Sequence, residues 1–304
     1  MSSSTPVAPV VVGVDGSSSS LSAARYAAHL AELRDAPLSL VYGYEIPIYG
    51  YLPVAVADRY TVDDQAMRAD AETMLASAVK QLKEDHPGLA DISARVVTGG
   101  AAGVLLEESR HAQVTVVGCR GLGGFAELLV GSVSAQVATH AHGPVVVVRP
   151  PAVNVARGPE QPPLALPPDG PIVVGVDSSP GAQIALKWAV EEARRRDTSI
   201  IAVYAFPVGR DEPYFEVRQD EAVAEEILFD AVSPWRHQPG VDIETRTVAA
   251  QHVEKAMIDQ TLGAGLTVVG SRGGGGFTGL LLGSVSRALV HHAHGPVAVI
   301  HKAD

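Results

Sequence analysis

Two stretches of this chain share an uncommon layout of glycine. Residues 118–132 read GCRGLGGFAELLVGS, and residues 270–284 read GSRGGGGFTGLLLGS. In each, Gly-x-x-Gly is followed by nine residues and then Gly-Ser, giving Gly118, Gly121, Gly131 and Ser132, then Gly270, Gly273, Gly283 and Ser284. The apolar runs 114–117 and 266–269 precede them. The pattern predicts a strand that ends in a glycine loop, with a helix starting beyond it. Without Cβ atoms in the way, backbone N–H groups converge there on an anion, and the positive end of the helix favours negative charge. Two such sites point to a phosphate-bearing ligand, and so to a nucleotide-binding protein. Neither stretch is a lysine-bearing P-loop, because no G-x-x-x-x-G-K-[ST] is present. The first strand ends Gly13-Val-Asp15-Gly16, without a G-x-G-x-x-G dinucleotide fingerprint.

The other candidates cluster around these loops. Asp15 and Asp177 end the first strand of each copy. Two roles are open to them: a polar contact to ribose or to a phosphate-bound cation, or an Asx turn opening the next helix. Arg120 and Arg272 lie inside the loops and suit either phosphate or a carboxylate partner. Cys119 has Ser271 as its counterpart, which argues against a required thiol nucleophile. His140, His142, His291, His292 and His294 precede or flank Gly-Pro without a carboxylate or thiolate cluster. A helix C-terminus accounts for them, and no metal is expected. No nucleophile–base–orienter set and no paired acid–base carboxylates stand out, so no catalytic residue is assigned.

The elements that position these residues repeat along the whole chain. Val11-Val-Gly-Val-Asp15 returns 162 residues later as Val173-Val-Gly-Val-Asp177, and Leu40-Val-Tyr42 as Ala202-Val-Tyr204. The glycine loops and the His-Ala-His-Gly-Pro-Val segments are offset by 152. The first copy therefore carries ten extra residues, placed in the Tyr- and Pro-rich segment 45–67. Between the copies, 150–171 is dense in proline and reads as a semi-rigid linker. The expected units are a first nucleotide-binding domain at 6–149 and a second at 172–304.

Within the first copy, strands are expected at 10–14, 38–42, 92–97, 114–117 and 145–148. Helices are expected at 21–33, 64–84, 103–111 and 132–140. The second copy repeats this order. Continuous apolar strands alternating with helices imply α/β domains, each a doubly wound parallel sheet with helices on both faces. Ligands of such sheets sit beyond the carboxyl ends of the strands, where both loops and both aspartates fall.

Composition narrows the class. With 46% hydrophobic and 19% charged residues the chain reads as soluble and globular. A net charge of −11 argues against a broad nucleic-acid surface. One cysteine excludes an intramolecular disulfide. No apolar run is of membrane-spanning length, and the N-terminal stretch lacks the basic and apolar regions of a signal peptide. A cytoplasmic protein is expected.

The Val-Gly-Val-Asp strand end, the G-2x-G-9x-G-S loop and the His-Ala-x-Gly-Pro-Val ending together resemble the universal stress protein family, twice over nearly the whole chain. The resemblance implies five-stranded parallel sheets of strand order 3-2-1-4-5. It implies ATP, with two sites per chain and Mg²⁺ alongside, since members with this glycine motif bind ATP. Carried over by position, Gly13 and Asp15 border the nucleotide, and Val41 holds adenine through its backbone. Gly118, Cys119, Arg120, Gly121, Gly123, Gly124, Gly131, Ser132 and Val133 surround ribose and phosphates. In the second copy these become Gly175, Asp177, Val203, Gly270, Ser271, Arg272, Gly273, Gly275, Gly276, Gly283, Ser284 and Val285. The run 273–276 departs from the pattern by being richer in glycine. Family members also pair through their last strand, so the two halves are expected to form a pseudo-dimer, with chains self-associating further. The function implied is an ATP-dependent stress or regulatory protein that acts through a protein partner the sequence does not identify. The alternative is a slow ATPase or phosphotransfer enzyme using the same sites.

Overall fold

The computed structural model describes residues 7–45, 64–89, 91–121, 130–149, 169–209, 214–236, 238–273 and 282–302. In the first half, β1 (Val10–Gly13), α1 (Ser18–Leu33), β2 (Leu38–Tyr44), α2 (Asp64–Asp85) and β3 (Ile92–Thr98) come first. They are followed by α3 (Ala101–Glu108), β4 (Val114–Gly118), α4 (Ser132–His140) and β5 (Val145–Val148). The second half runs β6 (Ile172–Gly175), α5 (Pro180–Arg196), β7 (Ile200–Pro207), α6 (Tyr214–Val232) and β8 (Ile243–Ala250). It ends with α7 (Val253–Gln260), β9 (Leu266–Gly270), α8 (Ser284–His292) and β10 (Val297–Ile300).

Each half has strand order 3-2-1-4-5, all parallel, as the family resemblance implies. The two half-sheets are not separate, however. β5 and β10 pair antiparallel, with Val146 opposite Ala298, so ten strands form one sheet of order β3-β2-β1-β4-β5-β10-β9-β6-β7-β8. Both last strands thereby become interior strands, which removes two apolar edges from water.

Alternation along the strands builds two cores. Val10, Val12 and Val14 turn to one face, against the alanine-rich side of α1 and its counterpart α5. Val11, Val145 and Val147 turn to the other, beneath α3, α4, α7 and α8. Each core includes residues of both halves, so packing as well as backbone pairing crosses the seam.

On the α1/α5 face the seam encloses charge. Arg34 and Arg196 hold equivalent positions 162 residues apart, as do Tyr26 and Trp188. Each arginine lies over the other half's aromatic ring: Arg34 is 5.7 Å from the centroid of Trp188, and Arg196 is 5.5 Å from that of Tyr26. Glu192, fully buried, accepts from Arg34 Nη2 at 2.5 Å and from Arg196 Nε at 2.7 Å. Arg196 Nη2 donates to the Tyr26 hydroxyl at 2.7 Å. Burial alone would raise the Glu192 carboxyl, but the two guanidiniums overturn that and hold it below its ordinary value.

Candidate functional site

The helix starts explain the geometry of the two loops. Ser17 and Ser179 cap α1 and α5, their hydroxyls accepting from Ser20 N–H and Ala182 N–H at 3.1 Å each. The helices that follow the glycine loops begin differently. Their N-caps are Gly131 (φ −72°, ψ 157°) and Gly283 (φ −65°, ψ 160°), and neither has a side-chain cap bond. The first-turn N–H groups at Ser132 and Val133 and at Ser284 and Val285 are therefore left uncapped among the described residues.

The glycines differ in why they are glycines. A Cβ on Gly118 would lie 2.6 to 2.7 Å from Ser19, and one on Gly270 would lie 2.9 Å from the Gly181 backbone. Both are demanded by the helix that starts beneath the loop, so close approach to a ligand does not explain them. Gly13 is likewise pressed by Leu105 (2.7 Å), and Gly175 by Val269 (3.0 Å). A Cβ on Gly121 would lie 2.6 Å from Asp15 Oδ2, and one on Gly273 would lie 2.5 Å from Asp177 Oδ2. Gly131 and Gly283 are the exceptions. Their backbone angles suit any residue, and a Cβ there would meet no described atom nearer than 3.7 Å and 3.6 Å respectively.

Of the two roles open to Asp15 and Asp177 in the sequence, the structure shows the Asx turn. Oδ1 of each accepts from the backbone N–H two residues on, at 3.0 Å from Ser17 and 2.9 Å from Ser179, closing an Asx turn. The second oxygen is turned towards the loop glycine. Around the second loop, burial and then the negative charges of Asp177 and Asp220 push the Tyr204 phenol up.

The structure brings together Gly118 to Gly121 with Gly131 to Val133, and Gly270 to Gly273 with Gly283 to Val285. Gly131 N–H donates to the Cys119 carbonyl, and Gly283 N–H to the Ser271 carbonyl, each at 2.8 Å. Arg120 and Arg272 are exposed, whereas Cys119 is buried with its sulfur 3.7 Å from Ser19 Oγ. Val41 and Val203 are buried in β2 and β7, and their carbonyls accept from Val14 N–H (3.0 Å) and Val176 N–H (2.8 Å). Gly123, Gly124, Gly275 and Gly276 lie outside the described residues, as do 46–63 of the insertion and 150–168 of the proline-rich segment.

Two residues pass unnoticed in the sequence. Ser134 Oγ donates to the Gly118 carbonyl at 2.5 Å, and Ser286 Oγ to that of Gly270 at 2.7 Å. These bonds tie the first helical turn to the strand end and set the width of the loop. Their signal was the repeated Ser-Val-Ser at 132–134 and 284–286. Among the described residues no group of three or more His, Cys, Asp or Glu side chains is arranged to hold a metal ion. No described helix is long and apolar enough to cross a membrane.

A tandem α/β chain with this loop twice over matches one family model, described as the universal stress protein family, at residues 7–149 and again at 170–301. The chain belongs to that family. It is 33% identical over 310 residues to the universal stress protein Rv1996 of Mycobacterium tuberculosis, covering 95% of this chain and 94% of the relative. A universal stress protein from Archaeoglobus fulgidus, at 19% identity, shares the fold with a TM-score of 0.64 over 97% of this chain and 98% of its own. A universal stress protein solved in complex with cAMP is 31% identical over 48% of this chain and 98% of its own, with a TM-score of 0.34.

Proposed function

We propose that each half binds one adenine nucleotide, ATP with Mg²⁺, and that the loaded protein serves as a nucleotide-dependent regulator of the stress response. The binding units are 6–149 and 172–304. The observation that carries this reading is the pair Gly131 and Gly283. Neither backbone conformation nor packing asks for glycine there, yet both copies keep it at an uncapped helix start facing a second glycine loop. Space kept clear beside converging N–H groups is what an anionic ligand needs. The orphan N–H groups of Ser132, Val133, Ser284 and Val285 would take phosphate oxygens, with Arg120 and Arg272 able to swing in from solvent. The loop-facing oxygens of Asp15 and Asp177 suit a ribose hydroxyl or the phosphate-bound cation.

One substitution separates ligand space from structural need. A serine at position 131 or 283 has room, suits the N-cap angles and supplies the missing cap bond. Gly131→Ser with Gly283→Ser is expected to hold or raise the ligand-free melting temperature, while the ATP released by denaturing the purified protein falls from two per chain to none. Full nucleotide content in the double variant would sink the reading. Mostly ADP released from the unaltered protein would favour the slow ATPase instead.

A further inference from the structure

We propose that the two glycine loops are coupled to each other across the seam, with Arg149 and His301 as crossed positioning residues. The inference rests on the nucleotide reading of the loops and adds that the two sites sense one another.

Each loop is bonded to the end of its own half's last strand. Cys119 N–H donates to the Val148 carbonyl at 3.0 Å, and Ser271 N–H to the Ile300 carbonyl at 2.8 Å. The next residue in each strand leaves its own half. Arg149 Nη1 donates to the carbonyl of Val290 at 2.9 Å, and His301 Nε2 meets the carbonyl of Ala138 at 3.1 Å. Val290 and Ala138 lie near the C-terminal ends of α8 and α4. These are the helices whose first residues, Ser284 and Ser132, close the opposite loops. A helix of nine residues is a rod about 13 Å long, so a shift imposed at one end is delivered at the other.

The contacts therefore run from the first loop through Val148 and Arg149 into α8 and the second loop. The mirror path runs from the second loop through Ile300 and His301 into α4 and the first. Both paths use positions related by the same 152-residue offset: 149 and 301, 138 and 290. Each basic residue also senses its own loop. Burial is the main influence on Arg149, and Cys119 and Arg120 act on it next. Around His301, beyond burial and the Ala138 carbonyl, stand His142, Arg272 and His140. Phosphate arriving in a loop acts on the residue that grips the opposite helix.

Calorimetric titration of the full chain with Mg-ATP tests this. The overall constant for filling both sites is divided by the product of the two single-site constants, taken from Gly131→Ser and Gly283→Ser. Coupling predicts a quotient that departs from one by about fivefold or more. It also predicts that Arg149→Ala with His301→Ala returns the quotient to one, while Arg149→Lys and His301→Arg preserve it. A quotient of one in the unaltered protein overturns the proposal. Should no ATP bind, the nucleotide reading fails, and amide exchange then decides the coupling alone. Faster exchange at Gly283 N–H in Arg149→Ala, and at Gly131 N–H in His301→Ala, sustains it; unchanged exchange at both overturns it.

Discussion

The two halves reach one loop geometry by different chemistry. In the first half, hydroxyls fasten the loop to the start of α1. Ser17 Oγ donates to the Arg120 carbonyl, Arg120 N–H donates to Ser19 Oγ, and Asp15 N–H donates to Ser20 Oγ. In the second half, Ser17 has become Ser179, but Ser18, Ser19 and Ser20 have become Pro180, Gly181 and Ala182. The loop there sits directly on the helix start, and a Cβ on Gly181 would lie 2.6 Å from the Arg272 carbonyl. Both copies keep the close approach of the strand-end glycine to the helix start, but the hydroxyl bonds of the first give way in the second to the fit of Gly181 beneath the Arg272 carbonyl. The shape of the loop is the shared requirement, and the means of holding it are not. The same divergence marks the seam, where Glu192 holds the position that Leu30 holds in the first half, and His301 that of Arg149.

The largest effect should come from the seam. Glu192→Leu gives the second half the first half's residue and leaves two buried guanidiniums without their shared carboxylate. A loss of about 3–5 kcal/mol is expected in denaturant unfolding. Adding Leu30→Glu to that variant moves the carboxylate to the equivalent position of the other half and should recover part of the loss. If the charge matters only where it now stands, no recovery will be seen.

Next comes the exchange of loop anchors. Gly181→Ser forces a Cβ onto the Arg272 carbonyl and should cost about 1–3 kcal/mol, the range for an overpacked site. The reverse probe, Ser19→Ala, removes the hydroxyl that accepts from Arg120 N–H and touches the Cys119 sulfur, and about 1 kcal/mol is expected. Equal losses would mean that the two loops are held alike after all.

Smaller still is the response to acid. Burial, as the first cause, holds His29, His291 and His301 below the ordinary histidine value of about 6.5. The unfolded chain therefore takes up these protons first. Stability is intact above that pH and declines as pH falls through it. His301→Arg copies the first half at one of the three positions and should flatten the decline between pH 7 and 5 in thermal unfolding. An unchanged slope would remove His301 from the account.

Much of this architecture was legible in the sequence. Uninterrupted valine runs announced strands buried on both faces, and Ser132 and Ser284 marked helix starts because glycine stood before them. The chemistry beneath the loops was harder to read. Gly118 and Gly131 look alike as letters, yet one glycine is imposed by Ser19 and the other by nothing in the described protein. The resemblance sets the Val41 backbone against adenine, and what the structure itself shows there is its carbonyl accepting from Val14 N–H, a strand-end contact no local pattern announces. Glu192, within Glu-Glu-Ala-Arg-Arg-Arg, reads as part of a solvated helix face. Its burial depends on Arg34, 158 residues away in sequence, and no local pattern encodes that.

The antiparallel union of β5 and β10 has a consequence for symmetry. Two identical chains meeting along this strand must place the same residue on both sides of the axis. A carboxylate at the position of Glu192 would then recur at that of Leu30, and a histidine at the end of one last strand would require a histidine at the end of the other. Because both halves lie on one chain, the two sides of the axis were free to drift apart, one keeping Leu30 and the other taking Glu192. The covalent link also makes their pairing independent of dilution, since each half always finds its partner at the high local concentration set by the tether.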